Sequence, residues 1–397
     1  MAPIRSWASE RLSDDVRGSL DRLARSEDVR RIAVMPDVHL AEGVCVGVAF
    51  ATHERLYPGA LGGDIGCGMA AVALEAERAD VDAARAAAVR QVLAAAVPVR
   101  RQRERAARRL AARVPPTREL TRPSLRGLAE QQGPHFMGTL GTGNHFLELQ
   151  HDVDSQQLWL MVHSGSRGMG PAIRDVHERE AREAGRGALG AQAAGAKDDV
   201  RRGPVSGLAS LKADTERGRA CMSNFGWADR FAAANRRAML EAAGTALANA
   251  FGWSPCPESR FDCEHNGVRR EMHEGHSVLV HRKGAMAVSP VAFGIVPGSM
   301  ASPTFHVSGR VVPEALASSA HGAGRAMSRS EARRRIDVGR LRRELRDVSI
   351  DPRALAGLRE EAPSAYKDVH AVMKAQRRLV RVRRTLSPIV TFKGVGS

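Results

Sequence analysis

Aromatic residues are scarce in this chain: two Tyr, four Trp and ten Phe make up 4% of 397 residues, an unusually low share. Cysteine is scarce too. Cys45, Cys67, Cys221, Cys256 and Cys263 are too few and too irregularly spaced for a disulfide framework in a chain of this size, and they read as reduced thiols. No apolar run reaches the roughly 18 residues a membrane helix needs, and Met1 to Asp14 carries charges without an apolar signal core. A membrane span is therefore not expected, and a cytoplasmic location is. Lysine and asparagine are also nearly missing, at six and five residues. A GC-rich genome explains that depletion and makes the survivors informative: Asn144, Asn266, Lys283 and Lys393 all fall in or beside the unusual segments described below.

What is present describes a folded chain with a basic balance. Hydrophobic residues make up 43% and charged residues 26%, ordinary for a protein with a large buried core. Sixty Lys+Arg against 44 Asp+Glu give a formal charge of +16 and a pI near 10.8. That charge attracts polyanions over about a Debye length, and nucleic acid is the leading candidate, with genome bias toward arginine as the competing explanation.

Charged, helix-favouring segments alternate with short apolar strands that end in Gly, His, Ser or Asp, so an α+β fold is expected, with mixed sheets flanked by helices and the site at strand ends and Gly-rich loops. Strands are expected at Arg31 to Met35, running into Pro36-Asp37-Val38-His39, at Leu158 to Val162 and at His276 to Val280. Periodicity predicts helices over Asp80 to Arg113, Pro171 to Glu183, Trp227 to Phe251, Glu331 to Arg346 and Asp368 to Arg384, and a loop over Ala181 to Ala196. Arg100 to Arg126 holds ten arginines and a Pro115-Pro116 break; it reads as a basic helix followed by a loop, either a solvated surface or an arm that contacts a polyanion. Gly203 to Gly218 is the most linker-like stretch. Special residues continue on both sides of it, so residues 1–397 are expected to form one domain.

Most of the chemistry-bearing residues collect in glycine-rich turns; His265-Asn266 instead follows the polar Phe261-Asp262-Cys263-Glu264. Gly62-Gly63-Asp64-Ile65-Gly66-Cys67-Gly68-Met69 sets a carboxylate and a thiol three residues apart, a hard oxygen beside a soft sulfur, which favours a transition metal such as Mn, Fe or Zn over Mg or Ca. A tight turn with a buried cysteine is the competing reading. In Gly138 to Glu148 the glycines expose backbone N–H groups of the kind that cradle phosphate, while Asn144, His145 and Glu148 add a donor, a ligand and a carboxylate. His163-Ser164-Gly165-Ser166-Arg167-Gly168 repeats that inventory with an arginine. His265-Asn266, His281-Arg282-Lys283-Gly284, Pro297-Gly298-Ser299-Met300 and His321-Gly322-Ala323-Gly324-Arg325 complete the set.

In order and over nearly the whole chain, PDVH, GGDIGCGM, GTLGTGNHFLE, HSGSRG, HN, HRKGA, PGSM, HGAGRAMSR and the terminal TFKG resemble the RtcB-type RNA ligase family. The resemblance implies that family's fold, two Mn(II) ions, GTP as cofactor, and joining of an RNA 3′-phosphate or 2′,3′-cyclic phosphate to a 5′-hydroxyl. By motif it implies Asp64, Cys67, His145, His163 and His265 as metal ligands and His321 as the nucleophile that is guanylylated, with Asp37 of PDVH in the catalytic set. Asn144, His145, Phe146, Leu147, Glu148, His265, Asn266, Pro297, Gly298, Ser299, Met300, Thr304, His321, Gly322, Ala323, Gly324 and Lys393 match guanylate-binding segments, and Arg167, Arg325 and Lys283 would contact phosphates.

The chain departs from the family pattern in three places. Met286-Ala287-Val288 stands where Thr-Arg-Ala is usual, Ala301 where Gly is, and Thr304 where Ser is. The resemblance therefore also admits a divergent repair enzyme, including one associated with a release-factor-like partner. Two alternatives to sealing stay open: a cyclic phosphodiesterase or arrested guanylyltransferase, and a noncatalytic RNA-end-binding protein.

Overall fold

The computed structural model describes residues 1–8, 10–193 and 208–394. Two sheets carry the α+β architecture. The first has five strands in the order Ile4–Ser6, Val29–His39, Val46–Thr52, His276–Lys283, Asn266–His273. The second has seven, in the order Phe293–Pro297, Thr304–Gly309, Val380–Lys393, Phe146–Asp152, Gln157–Ser164, Gly68–Glu77, Phe261–Glu264. Only His265 separates Phe261–Glu264 in the second sheet from Asn266–His273 in the first, so one residue joins the two.

The core behind the seven-stranded sheet is largely aliphatic. One face of the seven-stranded sheet buries Val72, Leu147, Leu149, Leu160 and Val390 against the Ala83–Ala96 helix and the Glu216–Phe251 helix. That second helix runs 36 residues, from a Thr215 hydroxyl that accepts Gly218 N–H at 3.1 Å to Gly252, whose φ of +77° ends it in the left-handed conformation. Among the described residues no helix is long and apolar enough to cross a membrane.

Several expectations drawn from periodicity give way to the fold. The helix foreseen over 80–113 is two: Ala83–Ala96 ends before Pro98, whose ring lacks the N–H a helix interior needs, and a short helix restarts at Glu104–Leu110. Between them the Pro98 and Val99 carbonyls accept Leu140 N–H (3.0 Å) and Gly141 N–H (2.7 Å), which ties the start of the basic segment to the glycine loop. The basic segment is thus a short helix, a proline break and a second helix at Pro123–Phe136. The 331–346 helix is split by Asp337, which caps Val338–Glu344 through Arg340 N–H at 2.7 Å.

The largest correction lies over 368–384. Helix persists only through Val369–Ala375, and Val380–Lys393 is a strand between Thr304–Gly309 and Phe146–Asp152. Val380 and Val382 are β-branched and alternate with arginine, a period of two that the wider helical window hid. Ala181–Ala193, expected as loop, continues the Met169–Ala193 helix, in keeping with alanine's helix propensity; 194–196 lie outside the described residues. Of the linker-like 203–218, residues 203–207 also lie outside them. Leu211–Lys212 pairs with Arg55–Leu56, so the remainder is docked chain.

Candidate metal centre and nucleotide pocket

The glycine-rich turns converge because the sheet register makes them. Gly68 pairs with Ser164 and Met69 with His163, which pairs in turn with Phe146. Cys67, His145 and His163 therefore meet at one end of three adjacent strands, and His265 closes the group from the strand beside Gly68. The His145 Nε2 lies 2.8 Å from Asp64 Oδ2 and 3.6 Å from Cys67 Sγ; the His163 Nε2 lies 3.3 Å from both Cys67 Sγ and His265 Nε2. The ligand atoms form two triads, Asp64–Cys67–His145 and Cys67–His163–His265, each within 4.8 Å and sharing the sulfur.

Tautomers suit metal binding. The Leu140 carbonyl accepts from His145 Nδ1 (3.0 Å) and the Asn144 carbonyl from His163 Nδ1 (3.2 Å), which turns both Nε2 atoms to the centre. Burial holds His163 and His265 far below the usual imidazole range, so they stay neutral. Burial would raise Asp64, but the neighbouring His145, Cys67 and Arg167 outweigh it and hold the carboxyl below the usual range. One carboxylate, one sulfur and three imidazoles are the mixed donor set a pair of borderline transition ions takes.

The helix Glu216–Phe251 fixes the loops that carry these ligands. Asn235 donates to Thr139 O, Ser164 Oγ and Gly165 O, each at 3.2 Å, and accepts from Thr139 N–H at 3.1 Å. Arg236, 1% exposed, forks onto Asp262 with two bonds of 2.7 Å and gives its remaining N–H groups to Gly66 O (2.7 Å) and Ser164 O (3.0 Å). Those carbonyls adjoin Cys67 and His163. Asn266 performs the same service for Asp64, donating to its carbonyl at 2.6 Å and to Leu61 O at 2.9 Å.

A cavity of about 590 Å3 opens beside the cluster. Asn144, Phe146, Glu148, His163, Pro297 to Met300, His321 to Gly324, Arg325 and Lys393 line it. His321 faces it with its ring centroid 4.7 Å from that of His265, and the fully buried Asp37 carboxylate sits 2.6 Å from His321 Nδ1 while also accepting its backbone N–H at 3.2 Å. A carboxylate only accepts, so Nδ1 carries the proton and Nε2 keeps its lone pair. Gly324 is required here: its φ is +73°, and a Cβ would collide with the Asp37 carbonyl.

Some expected residues are not on this wall. Leu147 alternates away from Phe146 and Glu148 into the apolar core. Thr304 is buried behind the wall, where it accepts Gln150 Nε2 at 3.0 Å; the same amide donates to Glu148 at 2.8 Å. Asn266, His145 and His265 belong to the ligand cluster. Arg167 lies against it, its guanidinium 3.4 Å from His145 Nδ1. The Lys283 ammonium is taken up by the Glu42 and Val44 carbonyls at 2.8 and 2.7 Å, and burial pulls it down to about 8. Arg325 lines the cavity, but its guanidinium is held by Glu361, Tyr366 and the Met327 and Glu360 carbonyls.

Sequence reasoning missed Glu361, Tyr366, Arg329, Asn235 and Arg236. Glu361, 2% exposed at the cavity's inner end, accepts from Lys393 (3.1 Å), Arg325 (3.2 Å) and Tyr366. The scarcity that marked Asn144 and Asn266 would also have marked Asn235, one of five asparagines, and Tyr366, one of two tyrosines.

Burial raises the Glu148 carboxyl to about 7, against bonds from Thr391 and Gln150 and the charge of Lys393. A folded-state value above the unfolded one means stability present at low pH is lost as pH rises from about 4.5 to about 7. Glu148→Gln removes that loss, so the variant's stability relative to wild type should grow by about 2.5 kcal/mol between pH 5 and pH 8. Urea melts at the two pH values measure it; a difference that stays flat would refute the assignment.

Comparison with known proteins accords with this arrangement. Residues 20–394 match the family model described as tRNA-splicing ligase RtcB. The chain is 36% identical over 418 aligned residues, covering 99% of it and 98% of the relative, to RNA-splicing ligase RtcB1 of Escherichia coli strain ATCC 25922, and 36% identical over 420 to RNA-splicing ligase RtcB of Escherichia coli K12. It is 32% identical to RNA-splicing ligase RtcB of Mycobacterium tuberculosis over 67% of this chain and 66% of that one. The class is thereby set: the chain is an RNA ligase. It belongs to the RtcB family.

Proposed function

We propose that this ligase, residues 1–397 acting as one catalytic unit in the cytoplasm, uses GTP and two Mn(II) ions to join an RNA 3′-phosphate or 2′,3′-cyclic phosphate to a 5′-hydroxyl through guanylylated His321. The observation that carries the reading is the His321–Asp37 pair placed between two ligand triads and a cavity large enough for a nucleotide. Asp64, Cys67 and His145 would hold one ion and Cys67, His163 and His265 the other. Metal there supplies charge neutralisation at the phosphates. His321 supplies an attacking Nε2 whose tautomer Asp37 maintains. Glu148, Lys393 and the backbone of Pro297 to Met300 and Gly322 to Gly324 would seat the guanosine. Because GMP linked to the RNA 3′-phosphate is a good leaving group, the 5′-hydroxyl can then displace it.

Of the departures from the family pattern, Met286 and Ala287 lie beside the strand that leads to His321, Ala301 is exposed in the turn after Met300, and Thr304 is buried against Gln150. Ala285–Ala287 pairs with Ser318–Ala320, the strand that delivers His321, and Met286 is buried in the core. No altered side chain replaces a ligand or the nucleophile, which supports sealing over its alternatives. The deciding experiment incubates the protein with labelled GTP and Mn(II), then adds RNA with 3′-phosphate and 5′-hydroxyl ends. Covalent label followed by a sealed product is expected; absence of label overturns the reading.

The basic segment bears on RNA. Arg101, Arg105, Arg108 and Arg109 are exposed and make no ion pair among the described residues, whereas Arg113 and Arg122 pair with Glu241 and Glu180. Changing the four to glutamine should flatten the salt dependence of RNA binding by up to about 0.7 in log–log slope for each phosphate no longer neutralised, with guanylylation unchanged. Unaltered slopes would assign these arginines to composition alone.

A further inference from the structure

Sealing consumes a hydroxyl, and a hydroxyl that attacks phosphorus must surrender its proton to a positioned acceptor. Most polar groups on the cavity wall are unsuited. Arg325, Arg329 and Lys393 only donate. Glu148 already accepts from Gln150 and Thr391, and Glu361 from Lys393, Arg325 and Tyr366. His321 has handed GMP to the RNA by this step and so adjoins the leaving GMP, opposite the hydroxyl that attacks in line.

His39 differs from all of these. It lines the same cavity, next in sequence to the exposed Leu40 and two residues along the strand from Asp37. Its Nδ1 lies 2.9 Å from the Asp37 backbone carbonyl, which can only accept, so Nδ1 carries the proton and Nε2 the lone pair. Among the described residues no protein group bonds to that Nε2. Burial lowers the imidazole to about 4, which keeps the lone pair available at neutral pH. Asp37 thus orients two imidazoles toward one cavity, His321 with its carboxylate and His39 with its carbonyl.

We propose that His39 is the general base of the sealing step, accepting the proton of the RNA 5′-hydroxyl. This rests on the ligase reading above. The 5′-oxygen forms a bond to the phosphorus of the activated 3′-phosphate as its proton passes to His39 Nε2. The bond from that phosphorus to the bridging oxygen breaks, its electron pair leaves with GMP, and the imidazolium returns its proton to solvent. A place next to the exposed Leu40 suits an RNA end that arrives after the nucleotide is seated, and a bare acceptor suits a hydroxyl rather than a phosphate.

The test uses His39→Gln and His39→Asn in the full chain with GTP, Mn(II) and two oligonucleotides, one ending in 3′-phosphate and one in 5′-hydroxyl. Both variants should form the His321 adduct and transfer GMP to the 3′-phosphate, so that RNA capped by 3′-pp-G accumulates, while sealing slows about 10²- to 10⁴-fold. Affinity for the 5′-hydroxyl strand, read by fluorescence anisotropy, should stay within about twofold of wild type if the missing imidazole moves a proton rather than binds. Sealing at the wild-type rate overturns the proposal. So does an adduct defect as large as the sealing defect, which would place His39 in nucleotide binding, or a fall in affinity that accounts for the loss. A wild-type protein that takes no label overturns the ligase reading itself.

Discussion

His321→Ala is expected to retain no covalent GMP after denaturation, a loss greater than about 10³-fold relative to wild type, and to seal no RNA. The size of the effect follows from the absence of a substitute. His265 is the nearest imidazole, with ring centroids 4.7 Å apart, but its Nε2 turns to His163 and Cys67 in the ligand cluster. His39 is held by the Asp37 backbone carbonyl. Asp37→Asn should show a smaller but still large defect, because an amide can present its N–H to Nδ1 and stabilise the wrong tautomer; the comparable change in a Ser-His-Asp triad costs about 10⁴-fold. Asp37 is fully buried, so thermal melts accompany both variants and separate loss of fold from loss of chemistry. Label on the His321→Ala protein, mapped to another residue, would move the nucleophile elsewhere.

The cluster of candidate ligands was legible in the sequence because Asp64, Cys67, His145 and His163 sit in or beside glycine-rich segments that strand register then had only to bring together, whereas His265 follows a segment without glycine. Asp64, Cys67, His145, His163 and His265 are all drawn into it. Residues that act from regular structure were not legible. Asn235 and Arg236 lie within a 36-residue helix, where an arginine in an arginine-rich chain carries no mark, and their function is visible only once the helix is seen to cross behind three loops. Glu361 and Tyr366 escaped because they lie in no motif, and only the fold brings them to Arg325 and, for Glu361, to Lys393. The fold misread most at Val380–Lys393, where a flanking helix shares its charge with the strand and pairing partners far away in sequence decide the outcome.

Arg236→Gln should lower stability by about 3–5 kcal/mol, because Asp262 loses both its bonds and two buried carbonyls lose theirs. A fold penalty alone is not what the geometry predicts. The Gly66 and Ser164 carbonyls precede Cys67 and follow His163, so one guanidinium sets the separation of the two loops that carry the shared sulfur and its imidazole partner. Affinity for Co(II), followed through its thiolate charge-transfer band, should therefore fall about 10- to 100-fold in protein that is still folded. Asp262→Asn offers a gentler variant, since its side chain is 37% exposed and the arginine keeps its carbonyl bonds. Arg236→Lys keeps the charge but not the planar fork, and cannot reach Asp262 and two diverging carbonyls together. If charge behind Cys67 were all that mattered, the lysine variant would bind Co(II) like wild type. If Arg236 served only the fold, all three variants would melt early and bind Co(II) unchanged. Weak binding in the lysine variant with near-normal binding in Asp262→Asn is the pattern that assigns Arg236 the spacing of the metal loops.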